Sequence, residues 1–212
     1  MMEPTLYDYW RSSAAYRVRI ALGLAGIDWH DVPVDLLEGE HRGAANLARN
    51  PQGLVPTLEI DGRRLTQSLA IIEYLDESRG TGFLPADLDG RARVRALSHA
   101  IAMEIHPVCN VSVARHAVEA SGGAITMQGW MQHFIAKGLT AFEAMLDTPD
   151  GGRFCHGDAI TMADICLVPQ IYNARRWEVA LDAMPRINAV MAALEQVPAV
   201  AAAHPDNFRP AE

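Results

Sequence analysis

The sequence predicts two parts, an α/β unit followed by an all-helical unit, and three observations support this fold class. Strand-like and helical segments alternate over residues 1–80. Residues 81–90, TGFLPADLDG, are rich in Gly, Pro and Asp, a composition typical of a linker. Residues 91–212 carry helical patterns almost without strand signals. We therefore expect the order β-α-β-α-β-β-α in the first unit and helices alone in the second.

The first elements are a strand, a helix and a second strand. TLYDYW, residues 5–10, is rich in residues that favour strands. Residues 13–25 repeat apolar side chains at helical spacing, and Gly26 ends the predicted helix. IDWHDVPVDL, residues 27–36, is then expected to form the second strand.

A short helix, a hairpin and a longer helix are predicted next. A weaker helical pattern covers residues 41–48. VPTLEI and RRLTQ lie on either side of Asp61-Gly62, a dipeptide that favours hairpin turns, so they predict two antiparallel strands. Ser68 is expected to cap the apolar helix that follows, and Gly80 to end it.

The second half is expected to contain four helical segments. The first of them is expected to be one long helix or two, since Pro107 should kink it by lacking the N–H group that a helix interior needs. The clearest local signal is ITMADI, where Thr161 is a good N-cap and Asp164 can reach back to it. The segments are residues 91–119, 129–146, 161–176 and 185–196.

The composition argues against several classes of function. The chain has 212 residues, 50% of them hydrophobic, so it can bury a substantial core. Its net charge of −8 argues against a nucleic-acid partner, which needs clustered Lys and Arg. No apolar run approaches the roughly 20 residues that span a bilayer, and the start MMEPTLYDYW lacks the pattern of a signal peptide. We therefore expect a cytoplasmic protein without a membrane partner.

The cysteines indicate neither a disulfide framework nor a metal site. Cys109, Cys155 and Cys166 are odd in number and widely spaced, so reduced thiols are expected. His106 and Cys109 could share a helical face, but a structural metal site needs four ligands and a second pair is missing. No metal is expected.

Ser12 and Ser13 lie where the first strand gives way to the first helix. The N-terminus of a helix stabilises an anion, and thiol pKa values fall there. A serine hydroxyl aimed at a thiolate would favour its charged form further. The alternative interpretation is that these serines only cap the helix.

Two further segments are candidates for binding a peptide-like ligand. Pro56 precedes a predicted strand, and a cis bond before it would present the backbone of Val55 to an extended ligand. Only about 5% of X–Pro bonds are cis, so the sequence by itself does not establish this bond. Gln67 and Ser68 lie at another helix N-terminus, which suits a carboxylate, with capping again the alternative.

Four segments together resemble the zeta-class glutathione transferases of the maleylacetoacetate isomerase type. They follow one another in the family's order, and the resemblance covers nearly the whole chain. Any one motif is weak by itself, whereas the four together are specific. The segments are RSSAAYRVRIAL at 11–22, NPQGLVPTL at 50–58, QSLAIIEYL at 67–75 and TMADICLVPQ at 161–170.

The resemblance implies a thioredoxin-like domain that binds glutathione and a C-terminal helical bundle that completes the substrate site, usually in a homodimer. Ser12 would activate the glutathione sulfur, with Ser13 beside it. Val55, before a cis proline, would pair with the cysteinyl backbone of glutathione. Gln67 and Ser68 would hold its γ-glutamyl carboxylate.

Further glutathione contacts follow from the resemblance and from the first helix. His41 matches a position that contacts the tripeptide, and Asn110 matches a segment that lines the site from the second domain. Arg17 is a candidate contact of glutathione, whereas Arg19 is expected to brace the domain or the dimer. One departure is Ala14, which stands where the family usually has a cysteine, so a mechanism that needs this thiol is excluded.

The substrate candidates are cationic, because the family's substrates are carboxylates. Arg11 and Arg176 correspond to arginines that bind substrate carboxylates in the family, and an Arg fork suits bidentate recognition of a carboxylate. Arg175 is instead expected to form a surface ion pair. His106 is a candidate for orienting the substrate or donating a proton, with a core histidine as the alternative.

The expected function is a glutathione-dependent cis–trans isomerase of maleylacetoacetate. Glutathione, the expected cofactor, would add as thiolate to the cis double bond, the bond would rotate, and elimination would give the trans product. Maleylpyruvate is the rival substrate, but relatives that prefer it tend to carry arginines after the asparagine, where Val111 follows Asn110. Two more functions stay open for this fold, a transferase acting on halogenated acids and a non-catalytic glutathione-binding protein.

Overall fold

A computed structural model of the chain describes residues 3–210, which form two compact units. The first unit combines the chain up to Phe83 with a C-terminal segment that begins at Gln196. The second unit runs from Leu84 to Glu195. Within the described range, none of the helices combines the length and the apolar character that crossing a membrane requires.

A mixed four-stranded sheet forms the centre of the first unit. The strand order is β2-β1-β3-β4, with β1 and β2 parallel and the other neighbours antiparallel. The second strand is shorter than the predicted span of residues 27–36. The predicted α/β class and its element order are confirmed. The strands are β1 (Thr5–Asp8), β2 (His30–Pro33), β3 (Thr57–Ile60) and β4 (Arg63–Thr66).

Nine α-helices are found among residues 3–210. One was not predicted: the short helix α9, which begins at Pro198, belongs with α1–α3 to the first unit. The helices are α1 (Ser13–Leu24), α2 (Ala44–Arg49), α3 (Ser68–Arg79), α4 (Leu88–His99), α5 (Val111–Ala120), α6 (Met127–Met145), α7 (Met162–Arg176), α8 (Pro185–Leu194) and α9 (Pro198–Ala202).

Arg19 holds the C-terminal segment in the first unit. Its side chain is 0% exposed, and its guanidinium bonds the carboxylate of Asp8 at the end of β1. The same group donates to the carbonyl oxygens of Trp10 at 2.9 Å and Ala203 at 3.3 Å. The prediction that Arg19 braces the domain is confirmed, since one side chain joins a strand, a loop and the C-terminal segment.

The first helix of the second unit begins inside the segment predicted as a linker. Asp87 caps α4, because its Oδ1 atom accepts from the N–H group of Gly90 at 2.7 Å. A π-helix, Ala100–Ile105, follows α4 and leads into the turn that contains Pro107. Of the two alternatives predicted for residues 91–119, two helices are found, α4 and α5, and α5 begins only after Pro107.

Asp164 organises the start of α7. Its carboxylate accepts from the N–H and hydroxyl groups of Thr161, both at 2.8 Å, and from the N–H group of Cys155 at 2.8 Å. Burial raises the pKa of the Asp164 carboxyl, and these hydrogen bonds oppose that rise. The predicted return of Asp164 to Thr161 is confirmed.

Candidate active site

The sheet register brings three predicted ligand-binding segments to one end of the first unit. Thr57 in β3 pairs with Tyr7 in β1 on one side and with Thr66 in β4 on the other. Because β3 is antiparallel to both neighbours, the chain that precedes β3 and the chains that follow β1 and β4 leave the sheet together. The segments at that end are the turn before Ser12, the Val55–Pro56 bond and Gln67–Ser68.

Ser12 lies at the N-terminus of α1. A turn closed by the N–H group of Ser12 and the carbonyl of Tyr9, at 2.8 Å, leads from β1 into this helix. The Ser12 Oγ atom accepts from the N–H group of Ala15 at 3.2 Å, so the residue is an N-cap. Accepting uses an oxygen lone pair and leaves the hydroxyl proton to be donated to an anion. Capping and anion binding are therefore compatible at Ser12. The next residue, Ser13, is half-buried and is the first residue of α1.

A buried arginine connects α1 to α3. Arg17 is 2% exposed, and its Nη1 atom donates to the Oγ atom of Ser68, which is 6% exposed, at 3.3 Å. The prediction that Ser68 caps α3 is wrong. Ser68 is the first helical residue, its hydroxyl faces Arg17, and Gln67 occupies the N-cap position without a side-chain cap bond.

Gln67 has an unusual backbone conformation. Its φ of 67° lies in the left-handed region, which residues other than glycine rarely adopt. Its exposed side chain donates from Nε2 to the Oε1 atom of Gln52 at 2.8 Å. Strained backbone conformations cluster at binding and catalytic sites. Gln52 could not be identified from the sequence, because no local pattern links residues 15 positions apart.

The bond between Val55 and Pro56 is cis. This conformation, which the family resemblance implied and the sequence by itself did not establish, is confirmed. Val55 is half-buried and comes two residues before the pairing of β3 begins at Thr57. It lies at the end of the sheet that also carries Ser12 and Gln67.

His41 lies in a 3₁₀ turn, Glu40–Arg42, that packs against the chain before Val55. A Cβ atom added at Gly53 would come within 3.3 Å of the His41 carbonyl oxygen, so the two backbones approach closely. Burial lowers the pKa of His41, and the charge of Arg42 lowers it further. The Nδ1 atom of His41 is buried and has no hydrogen-bond partner within residues 3–210.

Arg11 is held by the aromatic residues that precede it. Its guanidinium carbon lies 4.6 Å from the ring centroid of Trp10, within cation–π range. Its Nη2 atom donates to the hydroxyl oxygen of Tyr9 at 3.2 Å. Arg11 is thus a half-buried cation one residue before Ser12.

The remaining predicted site residues lie in the second unit. His106 is half-buried in the turn after the π-helix. Asn110 is the N-cap of α5, and its Oδ1 atom accepts from the N–H group of Ser112 at 3.0 Å. Arg176 is the exposed last residue of α7, 5.0 Å from the ring centroid of Trp177. Arg175 forms an exposed ion pair with Glu195 at 2.8 Å, as predicted.

All three cysteines are buried thiols in the second unit. Burial raises the pKa of Cys109 to about 11 and that of Cys155 well above its ordinary value. Cys166 is 0% exposed. The first unit has no cysteine at all, and at Ala14, beside the serines, the side chain is a methyl group.

Two family models match the chain. The model for the glutathione S-transferase N-terminal domain matches residues 2–77, and the model for the glutathione S-transferase C-terminal domain matches residues 112–203. A maleylacetoacetate isomerase of Rhizobium meliloti (strain 1021) is 60% identical over 210 residues, which cover 98% of this chain and 99% of the relative.

Solved structures with the same architecture cover nearly the whole chain. The holo structure of a maleyl pyruvate isomerase, a bacterial glutathione S-transferase of the zeta class, superimposes with a TM-score of 0.90 at 42% identity, covering 95% of this chain and 96% of that one. A maleylacetoacetate isomerase from Anaeromyxobacter dehalogenans 2CP-1, with GSH bound in its active site, gives a TM-score of 0.87 at 45% identity, covering 98% and 97%.

Proposed function

This chain belongs to the glutathione S-transferase family, and from that membership we propose that it is a glutathione-dependent cis–trans isomerase of maleylacetoacetate. The observation that carries the proposal is the convergence of Ser12, Val55 and Gln67–Ser68 at one end of the sheet. These segments offer a hydroxyl at a helix N-terminus, a backbone edge beside a cis proline and a second helix N-terminus. Glutathione, the cofactor, needs all three, since it has a thiol, peptide groups and a free α-carboxylate.

The reaction returns glutathione unchanged. The thiolate sulfur forms a bond to one carbon of the cis double bond, and the displaced electron pair moves onto the conjugated carbonyl oxygen as an enolate. The former double bond is then single and rotates. The enolate electrons re-form the double bond in the trans arrangement and expel the thiolate, so no net proton is consumed.

The first unit supplies the groups that favour the thiolate. Ser12 donates its hydroxyl proton to the sulfur, and the N-terminus of α1 adds its partial positive charge. Ala14 has no thiol, so the sulfur that reacts is that of glutathione. Arg11 and Arg176 bind the carboxylates of the substrate, and His106 orients the substrate.

The rest of the tripeptide is held by backbone and polar groups. Val55 pairs with the cysteinyl backbone of glutathione. Gln67 and Ser68 bind its γ-glutamyl carboxylate, and the position of Ser68 in the first turn of α3 supports this assignment, because a helix N-terminus stabilises an anion. Arg17 fixes the position of Ser68 in this carboxylate site by donating a hydrogen bond to the Ser68 hydroxyl. The other proposed contacts of glutathione are Ser13, His41 and Asn110.

Maleylpyruvate is the second candidate substrate, because a maleyl pyruvate isomerase is among the similar solved structures. Asn110 is followed by Val111 and not by an arginine, which favours maleylacetoacetate. A transferase acting on halogenated acids uses the same activated thiolate and is the third candidate.

The organisation of the protein is proposed on the same basis. Residues 1–80 bind glutathione, residues 81–90 join the two parts, and the substrate site is completed from within residues 91–212, of which the segment that begins at Gln196 belongs to the first unit. We propose that the protein works in the cytoplasm as a homodimer.

The test is isomerisation of maleylacetone, a stable stand-in for the substrate, followed by loss of its cis-enedione absorbance. Wild-type protein should act only with glutathione, and Ser12→Ala should lower kcat by about tenfold or more, because losing a hydrogen bond to the thiolate raises the pKa of the glutathione thiol and leaves less thiolate to react. Ser78→Ala is the matched control, because the exposed Ser78 hydroxyl bonds within α3, to the Tyr74 carbonyl. Glutathione binding without turnover in the wild type would instead support a non-catalytic binding protein.

A further inference from the structure

The end of the described chain packs against the turn that leads to Ser12. We call residues 203–209 the tail segment. Its first residue, Ala203, accepts a hydrogen bond from Arg19 at 3.3 Å. The ring of Phe208 lies 4.4 Å from the Arg19 guanidinium carbon and stacks on Trp29 at 6.2 Å with an interplanar angle of 10°. The tail segment is therefore fixed in the first unit by aromatic and cationic groups.

Trp10 is shared between the tail segment and the candidate active site. The guanidinium carbon of Arg209 lies 5.7 Å from the Trp10 ring centroid, and that of Arg11 lies 4.6 Å from the same centroid. The indole ring attracts cations through its electron-rich π system. One ring thus contacts both a tail arginine and the arginine proposed to bind the substrate carboxylate.

The backbone of Trp10 is tied to the tail segment as well. Arg19 donates to the Trp10 carbonyl at 2.9 Å while the same guanidinium holds Ala203. Arg19 is 0% exposed, so its side chain cannot shift without disturbing its other partners. A displacement of the tail segment is therefore transmitted to both the ring and the backbone of Trp10, two residues from Ser12.

We propose that the tail segment positions Arg11 through Trp10, which makes Trp10 and Arg209 positioning residues for substrate carboxylate binding. The inference rests on the proposed function, because it concerns the carboxylate assigned to Arg11. Arg209 restrains the indole ring, and the ring restrains the Arg11 guanidinium. Neither Trp10 nor Arg209 touches the reacting atoms in this scheme.

The first experiment measures KM and kcat with maleylacetone as substrate. Arg209→Gln should raise KM for maleylacetone about three- to tenfold, the range that a cation–π contact supports, while KM for glutathione changes less than about twofold. Trp10→Leu should raise KM for maleylacetone at least as much as Arg209→Gln does. Trp10→Phe, which keeps an aromatic ring, should raise it less than Trp10→Leu. The control is Arg153→Gln, since Arg153 lies 5.2 Å over the Phe154 ring in the second unit.

Combining Arg209→Gln with Arg11→Gln separates positioning from a general structural effect. Because the tail segment is proposed to act through Arg11, Arg209→Gln should have no further effect on KM once Arg11 is replaced. An equal fold-increase in both backgrounds would overturn the proposal. So would a change in KM for glutathione as large as that for maleylacetone.

Hydrogen exchange distinguishes failure of this inference from failure of the proposed function. The N–H group of Ser12, bonded to the Tyr9 carbonyl at 2.8 Å, reports on the turn without any substrate. Its exchange, followed by NMR, should be at least about threefold faster in Arg209→Gln and Trp10→Leu and unchanged in Arg153→Gln. Unchanged exchange in all variants would overturn the inference even if the wild type isomerises maleylacetone. Faster exchange in these variants of a protein without isomerase activity would overturn the proposed function alone.

Discussion

The guanidinium of Arg17 donates a hydrogen bond to the hydroxyl of Ser68 at 3.3 Å and joins the second turn of α1 to the first turn of α3. Both residues are buried. Because α1 begins beside Ser12 and α3 begins with Ser68, this bond links the proposed thiol and carboxylate ends of the glutathione site. The spacing between the two ends thus depends on a buried contact between residues 51 positions apart.

Replacing Ser68 tests this link. Ser68→Ala should lower the free energy of unfolding by about 1–3 kcal/mol, because a buried guanidinium loses a hydrogen-bond acceptor. It should also raise KM for glutathione, since the first turn of α3 is no longer tied to α1. Urea denaturation and steady-state kinetics measure the two effects, with Ser78→Ala, at the exposed end of α3, as the control. Equal stability of the two variants would contradict the prediction.

His41 should titrate below its ordinary pKa of 6.5, because burial is the main cause of its shift and the charge of Arg42 adds to it. Its NMR signal, assigned with a His41→Gln variant, measures this pKa. Arg42→Gln should raise the pKa only in part, since burial remains. A His41 pKa at or above 6.5 in the wild type would contradict the prediction.

The shift of His41 also sets the sign of its contribution to stability. The unfolded chain binds the proton more tightly than the folded chain, whose His41 pKa is lowered. His41 therefore contributes folding stability that is present above about pH 6.5 and is lost as the pH falls through the folded-state pKa. Urea denaturation of wild type and His41→Gln across this pH range measures the effect. The free energy of unfolding of wild type, relative to that of His41→Gln, should fall as the pH is lowered.

Arg19→Lys should destabilise the first unit and release the C-terminal segment. A lysine keeps the charge beside Asp8 but lacks the planar fork that also reaches the carbonyls of Trp10 and Ala203. The cost should be about 1–3 kcal/mol, because a buried carbonyl acceptor loses its hydrogen bond. Limited proteolysis should then cut near residues 196–210 before the rest of the chain. Arg175→Lys, in the exposed pair with Glu195, should change stability by less than about 1 kcal/mol.

Native protein should react slowly with iodoacetamide at about pH 7.5. The three cysteines are buried, and burial raises the pKa of Cys109 to about 11, so almost no thiolate is present. Ala14→Cys should add one rapidly labelled thiol, because residue 14 lies in the first turn of α1, where thiol pKa values fall. Mass spectrometry counts the labels before and after unfolding. Rapid labelling of the native wild type would contradict this prediction.

Local patterns determined much of the fold. The end of α3 at Gly80, the Asp61-Gly62 turn and the return of Asp164 to Thr161 depend on residues a few positions apart, so each was predicted from the sequence and each is found. The motifs also identified Ser12, Val55 and Gln67 as candidates, because their residue types lie beside strand or helix ends.

Other features arise only when distant parts of the chain meet. The contact of Gln67 with Gln52, the role of Ser68 as acceptor for Arg17 and the packing of residues 203–209 against Trp10 join residues 15 to about 200 positions apart. The two uses of Ser68, as a cap or as a partner of Arg17, have the same local sequence and differ only in what the sheet register brings nearby. The sequence by itself therefore determined most of the elements and their order. The tertiary structure decided which polar groups face one another, because that depends on burial and packing between segments that no local pattern connects.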